Sequence, residues 1–430
     1  MYKKIKNIIE SVDLFLFKIF GSYKSTKILQ NYKEAQLIFS YLNENKNEVK
    51  FVGGCVRKSL KGEKIDDIDL ATSLIPEDVK NRLIKQGVKV VDTGISHGTI
   101  TAILNKKSFE ITSLRKDIST DGRHASIEHT LNWKEDASRR DFTINAIYVD
   151  LEGRIFDPFN GVLDLKNGII KFIGSPEERI QEDYLRILRY FRFFTHYSKK
   201  ECDPETVNSI KRNINGLNKI SNERIFSEIK KIFSLQNIYS LFLNEKLNSI
   251  FLNIFPQFKY KKRLRKISIF NKAFKYKYDS DFILGLLIID DSNNYEYFCH
   301  KYKVSNNIKK RFANIAKNFK NFKNKNFFTE VNIKKLIYLT NKKEVEDLLL
   351  FAICENDKLN LTNIEKLVNY VNTCKVPKFP VNGDFLKEHG YQTGETLGKK
   401  LKQIEELWIQ NNFILDKKIL EQSLGKTQKS

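Results

Sequence analysis

A paired glycine, an arginine and two spaced aspartates stand close together near the start of the chain. Gly53 and Gly54 follow an apolar run, and because glycine has no Cβ atom, the backbone N–H groups of such a turn can approach an anion closely. Arg57 follows at a spacing that suits a phosphate oxygen. Asp67 and Asp69 lie two residues apart in a stretch that alternates like a strand, where such residues share a face.

Two carboxylates on one face of a strand favour a hard divalent cation such as Mg²⁺. The strand predicted over Ile65–Leu70 would aim both aspartates in the same direction. Beside a turn that binds phosphate, such a cation neutralises a triphosphate and lowers the pKa of an attacking hydroxyl. A Gly-Gly pair followed by Arg is by itself usually a tight turn, and Asp-x-Asp is by itself usually a solvated strand end. Together they predict metal-assisted nucleotidyl transfer.

The whole segment FVGGCVRKSLKGEKIDDIDLAT resembles the signature of the class II tRNA nucleotidyltransferase and bacterial poly(A) polymerase family, GGxVRD followed by DxDxxT. The resemblance implies that the glycine turn and Arg57 hold a nucleoside triphosphate, and that Asp67 and Asp69 bind Mg²⁺. The chain departs from the pattern in one place, because Lys58 stands where the family has an aspartate after the arginine.

A third carboxylate, Glu110, lies on a predicted strand with Phe109 and Ile111 on the opposite face. The stretches KVVDTGISHGTITAIL and KSFEITSLR are rich in β-branched residues and predict a hairpin. The residues alone leave open whether Glu110 is an exposed strand residue, a third metal ligand or the group that accepts the proton of the primer hydroxyl. The family has an acidic residue in the matching segment, which favours a role in the reaction.

The string RRDFTINAIYVD matches the family motif RRDFTxNA, which is linked there to ribose selection. Arg140 can hold a phosphate, and Asp141 can accept a hydrogen bond from a ribose hydroxyl. Asn145 lies four residues beyond Asp141 and shares its face if the segment is helical. Without the resemblance, a surface ion pair at a helix start would be the first interpretation. The resemblance implies nucleotide binding by all three residues.

The string EDYLRILR lies in a predicted amphipathic helix and resembles the family motif EDxxRxxR. Asp183 and Arg186 are three residues apart and would share a helix face. An aspartate that accepts from an exocyclic amine and an arginine that donates to the ring fit cytosine and adenine, whereas uracil would leave both contacts unpaired. An ion pair without a ligand is the alternative. The resemblance implies that Asp183, Arg186 and Arg189 bind the incoming nucleotide.

Composition limits the protein's class and its partners. The 430 residues include 75 Lys and Arg against 52 Asp and Glu, a formal net charge of +23, which indicates a polyanionic partner. Five cysteines without short paired spacing indicate reduced thiols and no zinc site. The first twenty residues lack a convincing signal peptide, and no apolar run reaches the roughly 18 residues of a membrane span. We therefore expect a cytoplasmic protein without membrane association.

The element pattern predicts an α+β protein, with a mixed-sheet nucleotidyltransferase head of the polymerase β-like type and an all-α remainder. Residues 1 to about 50 have helical periodicity, and polar Lys116–Arg139 predicts a loop. After Pro377 and Pro380, the chain resembles the family's C-terminal segment of a short helix, a glycine turn and a longer helix. The predicted domains are a catalytic head (1–150), a base-recognition neck (151–235), a helical body (236–376) and a tRNA-binding tail (377–430).

The resemblance implies addition of CMP and AMP from CTP and ATP to the 3′ end of tRNA, with release of pyrophosphate. A poly(A) polymerase, a CC-adding enzyme and an A-adding enzyme stay open as alternatives, although TGISHGTITAIL is more similar to the tRNA enzymes. An RNA-binding protein on an inactivated transferase fold is a different class, and intact Asp67, Asp69 and Asp183 argue against it. The oligomeric state is not specified by the sequence.

Overall fold

The computed structural model describes residues 29, 31–43, 48–94, 98–120, 125–267, 278–324, 327–357 and 359–424. Most of the helical pattern predicted over residues 1 to 50 lies outside this part of the chain, although its last helix, Lys33–Leu42 (α1), is described. The chain divides into two compact units, Met1–Ile254 and Phe255–Ser430. They are called the first and the second unit below.

Nine strands lie in the first unit within the described residues. They are Val49–Val52 (β1), Ile68–Thr72 (β2), Lys89–Gly94 (β3), Thr99–Leu104 (β4), Lys107–Ser113 (β5), Arg115–Thr120 (β6), Ala125–His129 (β7), Tyr148–Val149 (β8) and Ile155–Phe156 (β9). Seven form one sheet in the order β3-β4-β5-β2-β1-β8-β9. Strands β2 and β5 are parallel, and the other neighbours are antiparallel. The mixed sheet and the β4–β5 hairpin are therefore confirmed.

One face of this sheet packs against α1 and two further helices, Gly54–Lys61 (α2) and Pro76–Lys85 (α3). The apolar side chains at alternate strand positions, such as Phe109 and Ile111 of β5, are buried in that core. Because side chains alternate along a strand, the residues between them point to the other face. Asp69 and Glu110 lie at such positions, so the sheet presents both carboxylates away from the core.

The prediction of a loop over Lys116–Arg139 is wrong. Strands β6 and β7 pair with each other in an antiparallel ribbon, and a helix follows at Trp133–Ser138 (α4), capped by the side chain of Asn132. The strand sequences RKDIST and ASIEH each contain one isoleucine among mostly polar residues, so they carry none of the apolar alternation from which strands are predicted.

Helices complete the first unit. They are Gly161–Asn167 (α5), Pro176–Glu182 (α6), Leu185–Tyr197 (α7), Pro204–Asn213 (α8), Asn222–Phe233 (α9), Tyr239–Leu243 (α10) and Glu245–Ile254 (α11). Helices α7 and α9 pack against each other. The apolar face of α7 is buried, and its Phe191 ring meets Phe251 of α11 edge-on at 5.3 Å.

The single helix predicted around EDYLRILR is wrong, because the chain breaks between α6 and α7. Asp183 has extended backbone angles, φ −151° and ψ 103°. Its Oδ1 accepts a hydrogen bond from the backbone N–H of Leu185 at 3.1 Å. An aspartate side chain that bonds to the nearby backbone competes with helical hydrogen bonds and favours a helix start. Asp183 therefore lies at a turn and not on a helix face.

The described part of the second unit is helical, as predicted. Its helices are Ser280–Ile288 (α12), Asn294–Lys301 (α13), Asn306–Asn318 (α14), Glu330–Leu339 (α15), Lys342–Glu355 (α16), Leu361–Thr373 (α17), Gly383–Glu388 (α18), Glu395–Gln410 (α19) and Lys417–Leu424 (α20). The predicted order near the C terminus, a short helix, a glycine turn and a longer helix, corresponds to α18, Gly390 and α19. Among the described helices, none is long and apolar enough to cross a bilayer.

Candidate active site

A cavity of about 450 Å³ lies in the first unit. Ten of the twelve residues predicted for the site line it, whereas Asp67 and Glu110 do not. Seven arginines against three aspartates give its wall an excess of positive charge, which suits a polyanion. The lining residues are Gly53, Gly54, Arg57, Asp69, Arg139, Arg140, Asp141, Asn145, Asp183, Leu185, Arg186, Arg189, Arg192, Phe193 and Arg224.

The glycine turn joins β1 to α2 and forms one wall of the cavity. Gly53 has φ +69° and ψ −121°, a conformation that L residues rarely adopt. A Cβ atom added there would lie 3.8 Å from Asp69 Oδ2 and 3.8 Å from Arg140 Nη1. The turn therefore runs directly beside a carboxylate and a guanidinium, and a larger residue would strain the backbone.

Asp69 and Glu110 are partners in the parallel register of β2 and β5. The pKa of Asp69 is raised to about 6, first by burial and then by the negative charge of Glu110, with a smaller contribution from Asp67; Arg140 and Arg57 act in the opposite sense. Three neighbouring carboxylates that repel one another are a donor set suited to a hard divalent cation. Across the described residues, however, no three His, Cys, Asp or Glu side chains already form a metal-binding group.

The predicted strand over Ile65–Leu70 is displaced in the structure. Strand β2 begins at Ile68, and its ladder with β5 runs from Ile68 to Thr72, so Asp67 precedes the strand and is exposed. The strand starts where its hydrogen-bonded pairing with β5 begins, and not where the alternation of residue types begins. Strand geometry therefore does not impose on Asp67 and Asp69 the common direction that the sequence predicted.

Asp141 and Asn145 meet in the structure although the segment between them is a 3₁₀ turn, Thr143–Asn145. Asp141 accepts hydrogen bonds from Asn145 Nδ2 at 2.8 Å and from Arg189 Nε at 2.7 Å. Burial acts to raise the pKa of Asp141, but the charge of Arg189 and these hydrogen bonds outweigh it and bring the pKa to about 2. Arg57 Nη1 donates to Asn145 Oδ1. A continuous polar chain thus links the glycine turn to α7.

Asp136 is a buried carboxylate behind the cavity that sequence reasoning missed. It accepts from Arg139 at 2.7 Å, from Arg140 at 3.1 Å and from the Tyr148 hydroxyl at 2.6 Å. Asp136 precedes Arg139 by three residues and Arg140 by four, and this helical spacing is the sequence signal that could have identified the ion pairs. Burial acts to raise the pKa of Asp136, but Arg140 and Arg139 outweigh it and lower the pKa to about 2. Asp136 therefore fixes the guanidinium that faces the glycine turn.

Replacing Asp136 by asparagine is expected to destabilise the protein by about 3 kcal/mol at pH 7, because one partner of a buried ion pair is removed. A folded-state pKa below the ordinary value of 3.8 gives a contribution that is present above about pH 4 and is lost as the pH falls toward 2. Urea midpoints of wild type and Asp136→Asn measured across that range should therefore converge. A constant gap at every pH would contradict the assigned ionisation.

Asp183 and Arg186 line the cavity together with Arg224 of α9. Arg224 Nη2 donates to Asp183 Oδ2 at 2.9 Å, whereas Arg186 Nη1 donates to Glu182 Oε2 at 2.5 Å and to the carbonyl of Arg179 at 2.8 Å. Asp183 thus has Arg224 as its ionic partner. Arg224 belongs to α9, and the side chain of Ser221 caps the start of this helix.

Arg179 joins two segments that line the cavity. This buried arginine donates from Nη2 to the carbonyls of Arg139 at 2.5 Å and Arg140 at 2.6 Å, and from Nη1 to Glu182 at 2.5 Å. The first two carbonyls precede Asp141, and Glu182 precedes Asp183. No local sequence pattern identifies this role, because the partners lie about forty residues apart.

Replacing Arg179 by lysine is expected to lower kcat/KM for both CTP and ATP by about tenfold, because one ammonium cannot reproduce the planar fork of a guanidinium. Arg263 offers a matched control in the second unit, since it is equally buried and donates to the carbonyls of Leu286 and Ile289 and to Glu355. Arg263→Lys should lower the unfolding temperature and leave the nucleotide kcat/KM unchanged. Equal kinetic losses in both variants would contradict a specific role for Arg179.

Comparison with known proteins identifies the family of this chain. Two family models match, the poly A polymerase head domain over residues 49–171 and the probable RNA and SrmB-binding site of polymerase A over residues 201–262. Human mitochondrial CCA tRNA nucleotidyltransferase 1 is 34% identical over 409 residues, which cover 90% of this chain and 88% of the human protein. The CCA-adding enzyme of Lactobacillus helveticus is 32% identical over 413 residues, which cover 91% and 96% of the two chains.

Solved structures of CCA-adding enzymes have a similar fold. The Bacillus stearothermophilus CCA-adding enzyme in complex with CTP has a TM-score of 0.70 and 25% identity, and the match covers 88% of this chain and 93% of that one. The Thermotoga maritima CCA-adding enzyme complexed with tRNA shares the fold with a TM-score of 0.58. The predicted α+β fold is thereby confirmed. With 30–34% identity to relatives over nearly their full length, the chain belongs to the CCA tRNA nucleotidyltransferase family, the CCA-adding enzymes.

Proposed function

We propose that this protein adds CMP and AMP from CTP and ATP to the 3′ end of tRNA and releases pyrophosphate. The similarity to relatives named for CCA addition supports the reaction. The observation that carries the proposal is the cavity itself. It unites a phosphate-binding glycine turn, a sheet carboxylate with a raised pKa and the Asp183–Arg224 pair in one arginine-rich space.

The triphosphate would bind at the glycine turn and the arginines nearest to it. Arg57 is held by Asn145, and Arg140 is held by Asp136 and Tyr148, so both guanidiniums have fixed positions before a ligand enters. A preorganised charge binds an anion without the cost of ordering a mobile side chain. The turn supplies backbone N–H groups, and the two arginines supply the charge.

Asp67 and Asp69, with Glu110 as a third carboxylate, would hold a divalent cation, for which we propose Mg²⁺. When bound, this ion would neutralise the triphosphate and lower the pKa of the tRNA 3′-hydroxyl. The raised pKa of Asp69 fits this role, since a cation would offset the loss of hydration on burial and the repulsion from Glu110 and Asp67. Glu110 lies beside Asp69 and could instead accept the proton of the attacking hydroxyl.

Ribose and base selection would come from the opposite wall. Asp141 is already engaged by Asn145 and Arg189, so it fixes both of these side chains in addition to facing a ribose hydroxyl. Asp183 and Arg186 would read the Watson–Crick edge of cytosine or adenine. Because Arg224 and a backbone N–H hold the two oxygens of Asp183, this acceptor has a defined direction. A fixed acceptor rejects a base that presents the wrong pattern.

The test is a tRNA transcript that lacks its last three nucleotides, incubated with CTP, ATP or both and read at single-nucleotide resolution. Addition of C, C and A followed by a stop would support the proposal, and a generic RNA of the same length is the control. A stop after CC, addition of A only to a CC-ended transcript, or a long A tail on either RNA would replace it with a CC-adding enzyme, an A-adding enzyme or a poly(A) polymerase.

The four-part division into head, neck, body and tail, with tRNA bound by the tail, remains our proposal, as does the cytoplasmic location. All five cysteines are free and buried, which suits a reducing compartment. The human relative is named a mitochondrial protein. Fractionation of the native cells with an antibody against the protein would decide the compartment.

A further inference from the structure

Three guanidinium groups surround one aromatic ring in the cavity. Arg192 lies 4.3 Å, Arg57 4.7 Å and Arg189 5.6 Å from the centroid of the Phe193 ring. The ring is buried, with 3% of its surface exposed, and all four side chains line the cavity. Arg57 comes from α2, which packs on the sheet, and the other two arginines come from α7. The ring therefore lies between positive charges from both elements.

Three like charges around one ring repel each other, and the structure shows how each is held. Arg189 pairs with Asp141 and Arg192 pairs with Glu228. The pKa of Arg192 is lowered by burial, and the charges of Arg189 and Arg57 act in the same sense against the opposing effect of Glu228. The pKa of Arg189 is raised instead, because Asp141 outweighs burial. The repulsion between the arginines therefore acts mainly on Arg192, and a polyanion would relieve it.

Arg57 is the member that a carboxylate does not hold in place. It donates to the neutral amide oxygen of Asn145, and its guanidinium lies over two rings, Phe193 and, at 5.3 Å, Tyr197. Within the described chain, its Nε is buried and has no hydrogen-bond partner. A buried donor without a partner is costly. Arg57 itself lines the cavity, so its charge acts on an anion that binds there.

An aromatic ring orders a guanidinium without cancelling its charge. A carboxylate at the same position would neutralise one arginine, whereas the ring attracts the cation through its quadrupole and leaves the net charge in place. We propose that Phe193 is a positioning residue for the nucleotide, because its ring gathers Arg57, Arg189 and Arg192 into one receptor for the triphosphate. The inference rests on the proposed function, since it concerns the same cavity.

The test removes the ring and measures binding of a ligand that has only the phosphates. Phe193→Leu should weaken the binding of inorganic tripolyphosphate, measured by isothermal titration calorimetry, by about tenfold. It should raise KM for CTP and ATP by similar factors, with the ratio of their kcat/KM values unchanged. Phe193→Tyr retains a ring and should restore tripolyphosphate binding to near the wild-type value.

Phe191 provides the matched control. It lies on the same helix, is fully buried against Phe251 and does not line the cavity. Phe191→Leu should lower the unfolding temperature and leave tripolyphosphate affinity unchanged. If Phe193→Leu does not fold, Phe193→Met is tested in its place, because methionine has an unbranched side chain with about the volume of leucine. Wild-type affinity in the ringless variant, or an equal loss in Phe191→Leu, would overturn the inference.

Failure of the proposed function would look different. A protein that binds tripolyphosphate in a ring-dependent manner but adds no C, C and A to the shortened tRNA would retain the role of Phe193 and lose the proposed reaction. A Phe193→Leu variant that adds CCA normally and binds tripolyphosphate with wild-type affinity would support the proposed reaction and overturn the role of Phe193. The calorimetric and product-length experiments therefore separate the two statements.

Discussion

An Asp69→Asn variant should incorporate nucleotides on the order of a thousandfold more slowly than wild type while keeping its fold. Asparagine has the same shape but lacks the negative charge beside the glycine turn and Glu110. Because burial and neighbouring carboxylates disfavour that charge in the folded protein, its removal should not destabilise the sheet. Single-turnover incorporation of CTP at saturating Mg²⁺, together with thermal unfolding, measures both expectations.

Asp66 is the matched control for this experiment. It lies in the loop just before β2, its side chain is 55% exposed, and it pairs with Lys58 at 3.0 Å outside the cavity. Exposed ion pairs contribute little to stability, so Asp66→Asn should retain near wild-type turnover. If Asp69→Asn also turned over at that rate, the assignment of Asp69 as a metal ligand would be wrong.

Replacing Asp183 by alanine should relax base selection more than it slows transfer. The side chain is held at one oxygen by Arg224 and at the other by the backbone of Leu185, so alanine removes a fixed acceptor and leaves Arg224 without this carboxylate. The ratio of kcat/KM for CTP over UTP is expected to fall on the order of a hundredfold. Incorporation of each nucleotide into a tRNA transcript, measured separately, gives that ratio.

Asp203 serves as the control for the selectivity experiment. It caps α8 by accepting from the backbone N–H of Thr206 at 2.8 Å and does not line the cavity. Its alanine variant should lose about 1 kcal/mol of stability with an unchanged CTP-to-UTP ratio. A uniform loss of rate for all nucleotides in Asp183→Ala, at constant ratio, would mean that Asp183 supports the turn and does not read the base.

The sequence predicted those parts of the fold that carry a local signal. β-Branched residues identify the β4–β5 hairpin, and helical periodicity before residue 50 identifies α1. The β6–β7 ribbon has one isoleucine in each strand, which is too few apolar residues to give such a pattern. At the break, the Asp183 side chain accepts a hydrogen bond from the backbone N–H of Leu185, and helical periodicity on both sides conceals the break in the sequence.

The site residues also differ in whether a local sequence signal identifies them. Residues within motifs, such as Gly53, Asp69 and Asp141, could be named from spacing and resemblance. Arg192 and Phe193 of α7 could not, because they differ from the other charged and aromatic residues of that helix only in what they face after folding. Contacts such as Arg179 to the Arg139 carbonyl join segments forty residues apart, and no spacing rule reaches that far.

The parallel pairing of β2 with β5 has a consequence for the order of synthesis. Two parallel neighbours require a crossover, here the stretch with α3, β3 and β4, so Asp69 and Glu110 come together only when residue 113 has left the ribosome. The lining residues extend to Arg224, and every one of them precedes Ile254. A nascent chain therefore possesses all its lining residues while the second unit is still being translated, and a bound nucleotide can stabilise the first unit at that stage.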